Sequence, residues 1–344
     1  MMAAIITQSR PLPWIFNPSP LIPIRHQGQM IHSLCAMPAR WSIFWLQTLA
    51  GKQKPIMHRA VWPGTALPGT WCIMDKRDQP ARGFFYKLSQ VWRLFATGLA
   101  FCIFGGGALL LALTLFPLMM LVLQNREKRR NAAQLVICRC FRLFCFILDM
   151  TGVASVDFDG RDKLVNARGK LIIANHPTLL DVVIILAQMD RCQCVVKHQL
   201  FRNPFMAGVV RAAGFIRNDD NPEKLVADAA RHLRNGDCVM IFPEGTRTAS
   251  GEKLGPLQRG VANIAISAPA DLIPVIVRCN HDTLKKGTPW YQIPPSKIRY
   301  NVRVGSTISA TGEIDPSQVR ARQARALTAV IKQYFCDRLR HDHA

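Results

Sequence analysis

The chain has 344 residues, enough for one catalytic domain and an accessory region. Its 44 Lys and Arg outnumber 22 Asp and Glu, and a net charge of +22 calls for an anionic partner. No helix-turn-helix, RNA-recognition or zinc-finger pattern accompanies that charge, which makes nucleic acid a weaker reading than anionic lipid or an acidic carrier protein, and no nucleic-acid partner is expected.

Residues 1–73 contain no acidic residue, six basic residues, nine prolines and five of the seven tryptophans. So many prolines break any amphipathic helix, so a transit peptide is disfavoured. The expectation is a poorly structured, over-extended translation with Met74 as the true start. The body from Met74 still carries 38 basic and 22 acidic residues, a net of +16.

Residues 94–123 are uncharged, between Arg93 and a basic run that starts at Arg126. One helix of that length would reach ~45 Å, against a hydrocarbon core of ~30 Å. Gly105, Gly106 and Gly107 are expected to divide it, and Pro117 to interrupt its second piece. A tilted span and a re-entrant hairpin both fit, and basic flanks at both ends leave the orientation open. Residues 74–125 are therefore read as a membrane segment. Residues 126–150 follow as an amphipathic interfacial helix, with Arg139 and Arg142 among large apolar groups. An ordinary helix packed on the next domain fits equally well.

From residue 151 to the end, short β-branched runs alternate with helical stretches. VASVDF, KLIIAN, CQCVV, DCVMIF, LIPVIV and KIRYNVRV read as strands. TLLDVVIILAQ, NPEKLVADAARHLRN, PLQRGVANIAIS and residues 316–340 read as helices. The fold class is α/β, with a mostly parallel central sheet flanked by helices. Eleven cysteines show neither CxxC nor zinc spacing, which fits a reducing compartment.

The chemistry-bearing segment is NHPTLLD, residues 175–181. Pro177 is expected to open the following helix, with His176 at the turn and Asp181 one turn in. A carboxylate there can hold the imidazole by Nδ1 and leave Nε2 as a general base. No GxSxG elbow supplies an enzyme nucleophile, so the activated hydroxyl belongs to a substrate. Alone, a His and an Asp at this spacing more often form a structural pair. The second segment is FPEGTR, residues 242–247, which places one anion, one hydroxyl and one guanidinium on a turn. Arginine suits bidentate phosphate recognition, and Gly245 lets backbone N–H groups approach an oxyanion. Read blandly, it is a surface turn with a Glu–Arg pair.

Together, NHPTLLD and FPEGTR resemble two blocks of the lysophospholipid acyltransferase family, of the 1-acylglycerol-3-phosphate acyltransferase type. Two weaker blocks stand in order, VVKHQLFRNPFMAGVV ahead of GFIRN, and LIPVIV; the resemblance covers about residues 126–305. It implies His176 as general base, Asp181 as its orienting partner, and Glu244 as shaper of the turn that helps place the acceptor hydroxyl. It further implies Lys197, Arg217, Gly245, Thr246 and Arg247 as substrate-binding residues. GFIRN is shorter than the family's pattern and lacks its Asp, so Arg217 would act from a displaced position. Gln199 stands where the family usually has Glu. These departures bear on the acceptor, and the segments AAGFIRND and GTPWYQIPP also resemble a subgroup associated with aryl polyene lipids.

The implied reaction is direct acyl transfer from acyl-CoA or acyl carrier protein to the free hydroxyl of a lysophospholipid, with no cofactor and no metal. The implied location is the inner membrane, with the catalytic domain facing the cytoplasm. Acyl transfer to an aryl polyene or ornithine lipid, or a non-catalytic lipid-binding protein, are the alternatives.

Overall fold

The computed structural model describes residues 83–219 and 221–340; the expectations for residues 1–73 and the start at Met74 lie outside them. In chain order the elements are α1 (Phe84–Leu113), α2 (Leu115–Val122), α3 (Arg126–Met150), β1 (Ala154–Asp159), α4 (Arg161–Val165), β2 (Leu171–Ala174), α5 (Asp181–Leu186) and β3 (Gln193–Lys197). There follow α6 (Ala207–Ala212), β4 (Ile216–Asn218), α7 (Pro222–Arg234), β5 (Val239–Ile241), α8 (Gly260–Ser267), β6 (Leu272–Cys279), β7 (Ile298–Val304) and α9 (Arg320–Arg340).

The strands form one seven-stranded sheet in the order β1-β7-β6-β2-β5-β3-β4. Every neighbouring pair is parallel except β6 with β7. All six expected strands are present, and GFIRN adds β4 at the edge. The central strands read as unbroken apolar runs because helices cover both faces. Ile172, Met240 and Ile273 point into the layer that holds Phe144, Ile184 and Ile185. Their neighbours Leu171, Ile173 and Val239 point the opposite way, onto Leu225, Ile264 and Leu327. β7 lies next to edge strand β1 and alternates, with Tyr300 and Val302 buried, Arg299 and Arg303 outward.

Two local expectations are corrected. The three glycines do not divide the apolar run: α1 continues through them, and the interruption falls at Thr114. Pro117 accounts for this, because its ring cannot share a regular turn with the carbonyl four residues back. Nor does Pro177 open a helix, since α5 starts only at Asp181. Asp181 itself holds the preceding loop away from helix by accepting from Thr178 N (2.7 Å) and Thr178 Oγ1 (2.6 Å).

α1 lies along the sheet domain. Trp92 Nε1 donates to Thr151 O, Arg93 Nη2 to Pro295 O, and Phe101 meets the Trp290 ring edge-on at 5.7 Å. Farther along, Phe104 stacks on Phe141 of α3, and Ala112 packs against Gly208 of α6. The other side of the run exposes Phe85, Leu88, Phe95, Leu110, Leu113 and Leu121. Phe84–Val122 is long and apolar enough to cross a membrane. Such an apolar surface on an otherwise basic protein is a sign of membrane association. Helix α3 divides its roles by face. Arg142 turns inward to Ala187 O (2.6 Å) and Asp190 (3.1 Å), while Leu143, Phe146 and Met150 are exposed.

Candidate active site

β2 and β5 are adjacent and parallel, so the loops leaving their C-terminal ends emerge side by side. NHPTLLD leaves β2 and FPEGTR leaves β5. Loops at this edge of a parallel sheet converge on one crevice. Asn175 anchors the first loop: its side chain exchanges two hydrogen bonds with the backbone of Val277, at 2.8 and 2.7 Å. Glu244 anchors the second to the first. Its Oε1 accepts from His176 N (2.8 Å), and its Oε2 accepts from Thr248 Oγ1 and Gly255 N (both 2.8 Å). Thr248 N returns a bond to His176 O at 2.8 Å. A Cβ on Gly255 would stand 2.6 Å from Glu244 Oε2, so any larger residue there displaces this carboxylate from its bonds.

His176 Nδ1 lies 2.9 Å from Asp181 Oδ2. An ionised carboxylate only accepts, so Nδ1 carries the proton and Nε2 is left as an acceptor. Asp181 is wholly buried, and its other bonds come from Thr178. The imidazole stacks on Phe242, centroids 4.2 Å apart, which fixes the ring plane. Behind the pair, Tyr300 is fully buried near Thr178 and Cys279, and its hydroxyl lacks a well-formed hydrogen bond. Burial foremost, with the charge of Asp181 adding, pushes its pKa well above the usual phenol range. It is therefore a neutral phenol, and no motif in the chain pointed to it.

Gly245 takes φ +65°, the left-handed region where glycine is favoured, and turns the chain so that Thr246 and Arg247 follow at the loop surface. Arg247 Nη1 donates to Leu284 O (2.9 Å) and Lys285 O (3.2 Å). Burial lowers its pKa, and the charge of Asp181 works against that shift. Lys197, at the end of β3, also has a lowered pKa, from crowding of its ammonium by the surrounding protein first and then from Lys286 and Arg247, although its side chain as a whole is exposed. Lys197 and Arg247 thus share one cationic region, and Arg247 lies close enough to Asp181 to feel its charge. Arg217 has contacts of its own: its Nε pairs with Asp219 at 3.1 Å, and its guanidinium lies over the Phe201 ring at 6.0 Å. Asp219, two residues after it, is its ion-pair partner.

Two apolar cavities lie under α1. A small one, about 30 Å³, touches Leu180 and Leu284 beside the two site loops and extends to Phe101 and Phe144. A larger one, about 250 Å³, continues past Phe104, Phe141 and Phe144 between α1 and α3.

Residues 155–278 match the sequence model of the family described as Acyltransferase. Over 175 residues the chain is 27% identical to the 1-acyl-sn-glycerol-3-phosphate acyltransferase of Helicobacter pylori, covering 49% of this chain and 70% of that protein. It is 30% identical over 129 residues to the human 1-acyl-sn-glycerol-3-phosphate acyltransferase beta, covering 35% and 45%. The crystal structure of the 1-acyl-sn-glycerophosphate acyltransferase from Thermotoga maritima shares the fold, with TM-score 0.50 and 18% identity over 74% of this chain and 97% of that one. The acyltransferase match contains both site loops and ends at Arg278, ahead of the segment that holds Arg247 by its carbonyls.

Proposed function

We propose that the protein is an O-acyltransferase that moves a fatty acyl group from a thioester donor to the free hydroxyl of a 1-acylglycerol-3-phosphate. The observation that carries this reading is the His176 ring: Nδ1 is held by buried Asp181, whose charge reaches Arg247, and Lys197 lies beside Arg247. His176 Nε2 removes the proton of the acceptor hydroxyl as that oxygen attacks the thioester carbonyl. The tetrahedral intermediate collapses, the C–S bond breaks, and the imidazolium returns its proton to the leaving thiolate. Ester and free thiol are the products, and no cofactor or metal enters the scheme. Arg247 and Lys197 hold the acceptor phosphate, which fixes the hydroxyl against the base. Glu244 acts as a positioning residue, since its oxygens are occupied by His176 N, Thr248 and Gly255. The apolar cavities beneath α1 suit an acyl chain entering from a membrane surface.

The donor is acyl-CoA or an acyl carrier protein, either of which suits a basic chain. The proposed place is the inner membrane, with this domain on the cytoplasmic side, where both donors occur. The test is thiol release by the purified protein in vesicles that contain lysophosphatidic acid, with product lipids read by mass spectrometry. Acylated product is expected only when acceptor and donor are both present. Free fatty acid without acceptor, or no turnover with any lysolipid, would overturn the reading.

A further inference from the structure

The segment between β6 and β7, residues 280–297, lies beyond the acyltransferase match yet closes over the same crevice. It is tied to both site loops. Leu284 O accepts from Leu179 N (3.2 Å) in the histidine loop and from Arg247 Nη1 (2.9 Å) in the other. To present that carbonyl Leu284 adopts φ +54°, and it is the one non-glycine with positive φ among the described residues. Such a conformation persists only where its surroundings enforce it. Asp282 adds the enforcement, with Oδ2 accepting from Ser250 Oγ (3.2 Å) and Gly251 N (3.0 Å).

The two lysines that follow are used differently. Lys285 is buried and satisfied, its ammonium 2.6 Å from Asp282 Oδ1 and 3.3 Å from Glu252 O. Lys286 is exposed, and its ammonium has neither an ion pair nor a hydrogen bond among the described residues. Its backbone bridges Ala249, two residues past Arg247, so it leaves the loop beside the FPEGTR turn. Lys286 is also close enough to Lys197 to lower the pKa of that lysine. No carboxylate forms an ion pair with Lys197, Arg247 or Lys286 among the described residues. Lys197, Arg247 and Lys286 therefore form one cationic cluster with no direct carboxylate partner among the described residues.

We propose that Lys286 binds phosphate together with Lys197 and Arg247, and that this third cation selects a phosphate monoester over a diester. The inference rests on the acyl-transfer reading for its biological sense. A monoester carries close to two charges at neutral pH, because its second pKa is about 6, whereas a diester carries one. Two cations suffice for the diester, and the third is repaid only by the dianion. Two phosphate monoesters could arrive here: the acceptor headgroup, and the 3′-phosphate of coenzyme A.

The experiment is calorimetric titration of the full chain, Lys286→Gln, and Lys332→Gln as a control for charge removal on α9. The probes are glycerol 3-phosphate against glycerol 3-phosphocholine, and coenzyme A against its 3′-dephospho form. The wild type should prefer the monoester in at least one pair, K286Q should lower that preference about tenfold, and K332Q should keep it; tenfold is about 1.4 kcal/mol. Loss in the first pair assigns Lys286 to the acceptor, loss in the second to the donor. If neither preference changes in K286Q, or the wild type has none, the proposal is wrong. Failure of the acyl-transfer reading looks different: no thiol release by the wild type, whatever the titrations give.

Discussion

His176 and Asp181 are joined through Nδ1 at 2.9 Å; His232 and Asp237 are joined through the same ring nitrogen at 2.7 Å, and four residues separate the partners in both pairs. Locally the two pairs are nearly interchangeable. Their surroundings are not. The first lies where loops leave the C-terminal ends of β2 and β5, and its aspartate has backbone and hydroxyl donors but no cation in contact. The second joins the last turn of α7 to the start of β5, at the opposite edge of the sheet, and Asp237 also binds Arg130 of α3 at 3.1 Å. One imidazole faces the crevice and its cations; the other closes a structural tie among α3, α7 and β5. A His–Asp spacing by itself therefore identifies nothing, and the edge of the sheet on which it falls decides its role.

Mutation should separate the two pairs sharply. His176→Ala is expected to lower turnover by about 10²–10⁴-fold, the usual worth of general-base assistance. Thiol release with lysophosphatidic acid and acyl-CoA measures it; turnover near wild type would end the mechanism. Glu244→Gln comes next. An amide has one acceptor oxygen where the carboxylate has two, so its NH2 must face either His176 N or the donors Thr248 and Gly255. A cost of about 1–3 kcal/mol follows, read as a lower melting temperature together with weaker activity.

His232→Ala is expected to keep kcat and to cost about 1 kcal/mol of stability at neutral pH. Burial raises the Asp237 pKa, but hydrogen bonding from His232 and the charge of Arg130 outweigh it and hold the value below 3.8. A lowered carboxyl pKa stabilises the fold above the unfolded value, and the gain is lost as pH falls through the folded one. The gap in melting temperature between wild type and this variant should therefore narrow as pH drops below 3.8. A constant gap down to low pH would assign the loss to packing instead. The smallest effect is expected from Tyr300→Phe, which removes a buried hydroxyl with no well-formed bond. Stability by denaturant titration should stay within about 0.5 kcal/mol or rise. A large loss would mean that the hydroxyl supports Asp181 after all.

The strands were legible because a sheet covered on both faces demands long apolar runs, and LIIA and LIPVIV have no alternative use. The meeting of NHPTLLD with FPEGTR was legible through the resemblance, but spacing alone would not have separated His176 from His232. The start of α5 was misread because a proline at the head of an apolar run is a good helix signal. That signal was overridden by Asp181, whose carboxylate claims Thr178 and His176 before the helix begins. The pairing of Arg217 with a neighbouring carboxylate, Asp219, is a contact that no motif announced. Tyr300 had no sequence signal, since it matters only through an element distant in the chain.

Sequence by itself determined the alternating α/β pattern, the apolar helix ahead of it, the basic balance, and the two loops that hold reactive side chains. Those follow from local propensity, periodicity and side-chain chemistry, which neighbouring residues carry among themselves. Only the tertiary structure decided which His–Asp pair faces a crevice, that Glu244 ties the loops, and that residues 280–297 return to hold Arg247 and present Lys286. Each depends on hydrogen bonds and charges between segments tens of residues apart, whose meeting is set by strand order and not by any local pattern.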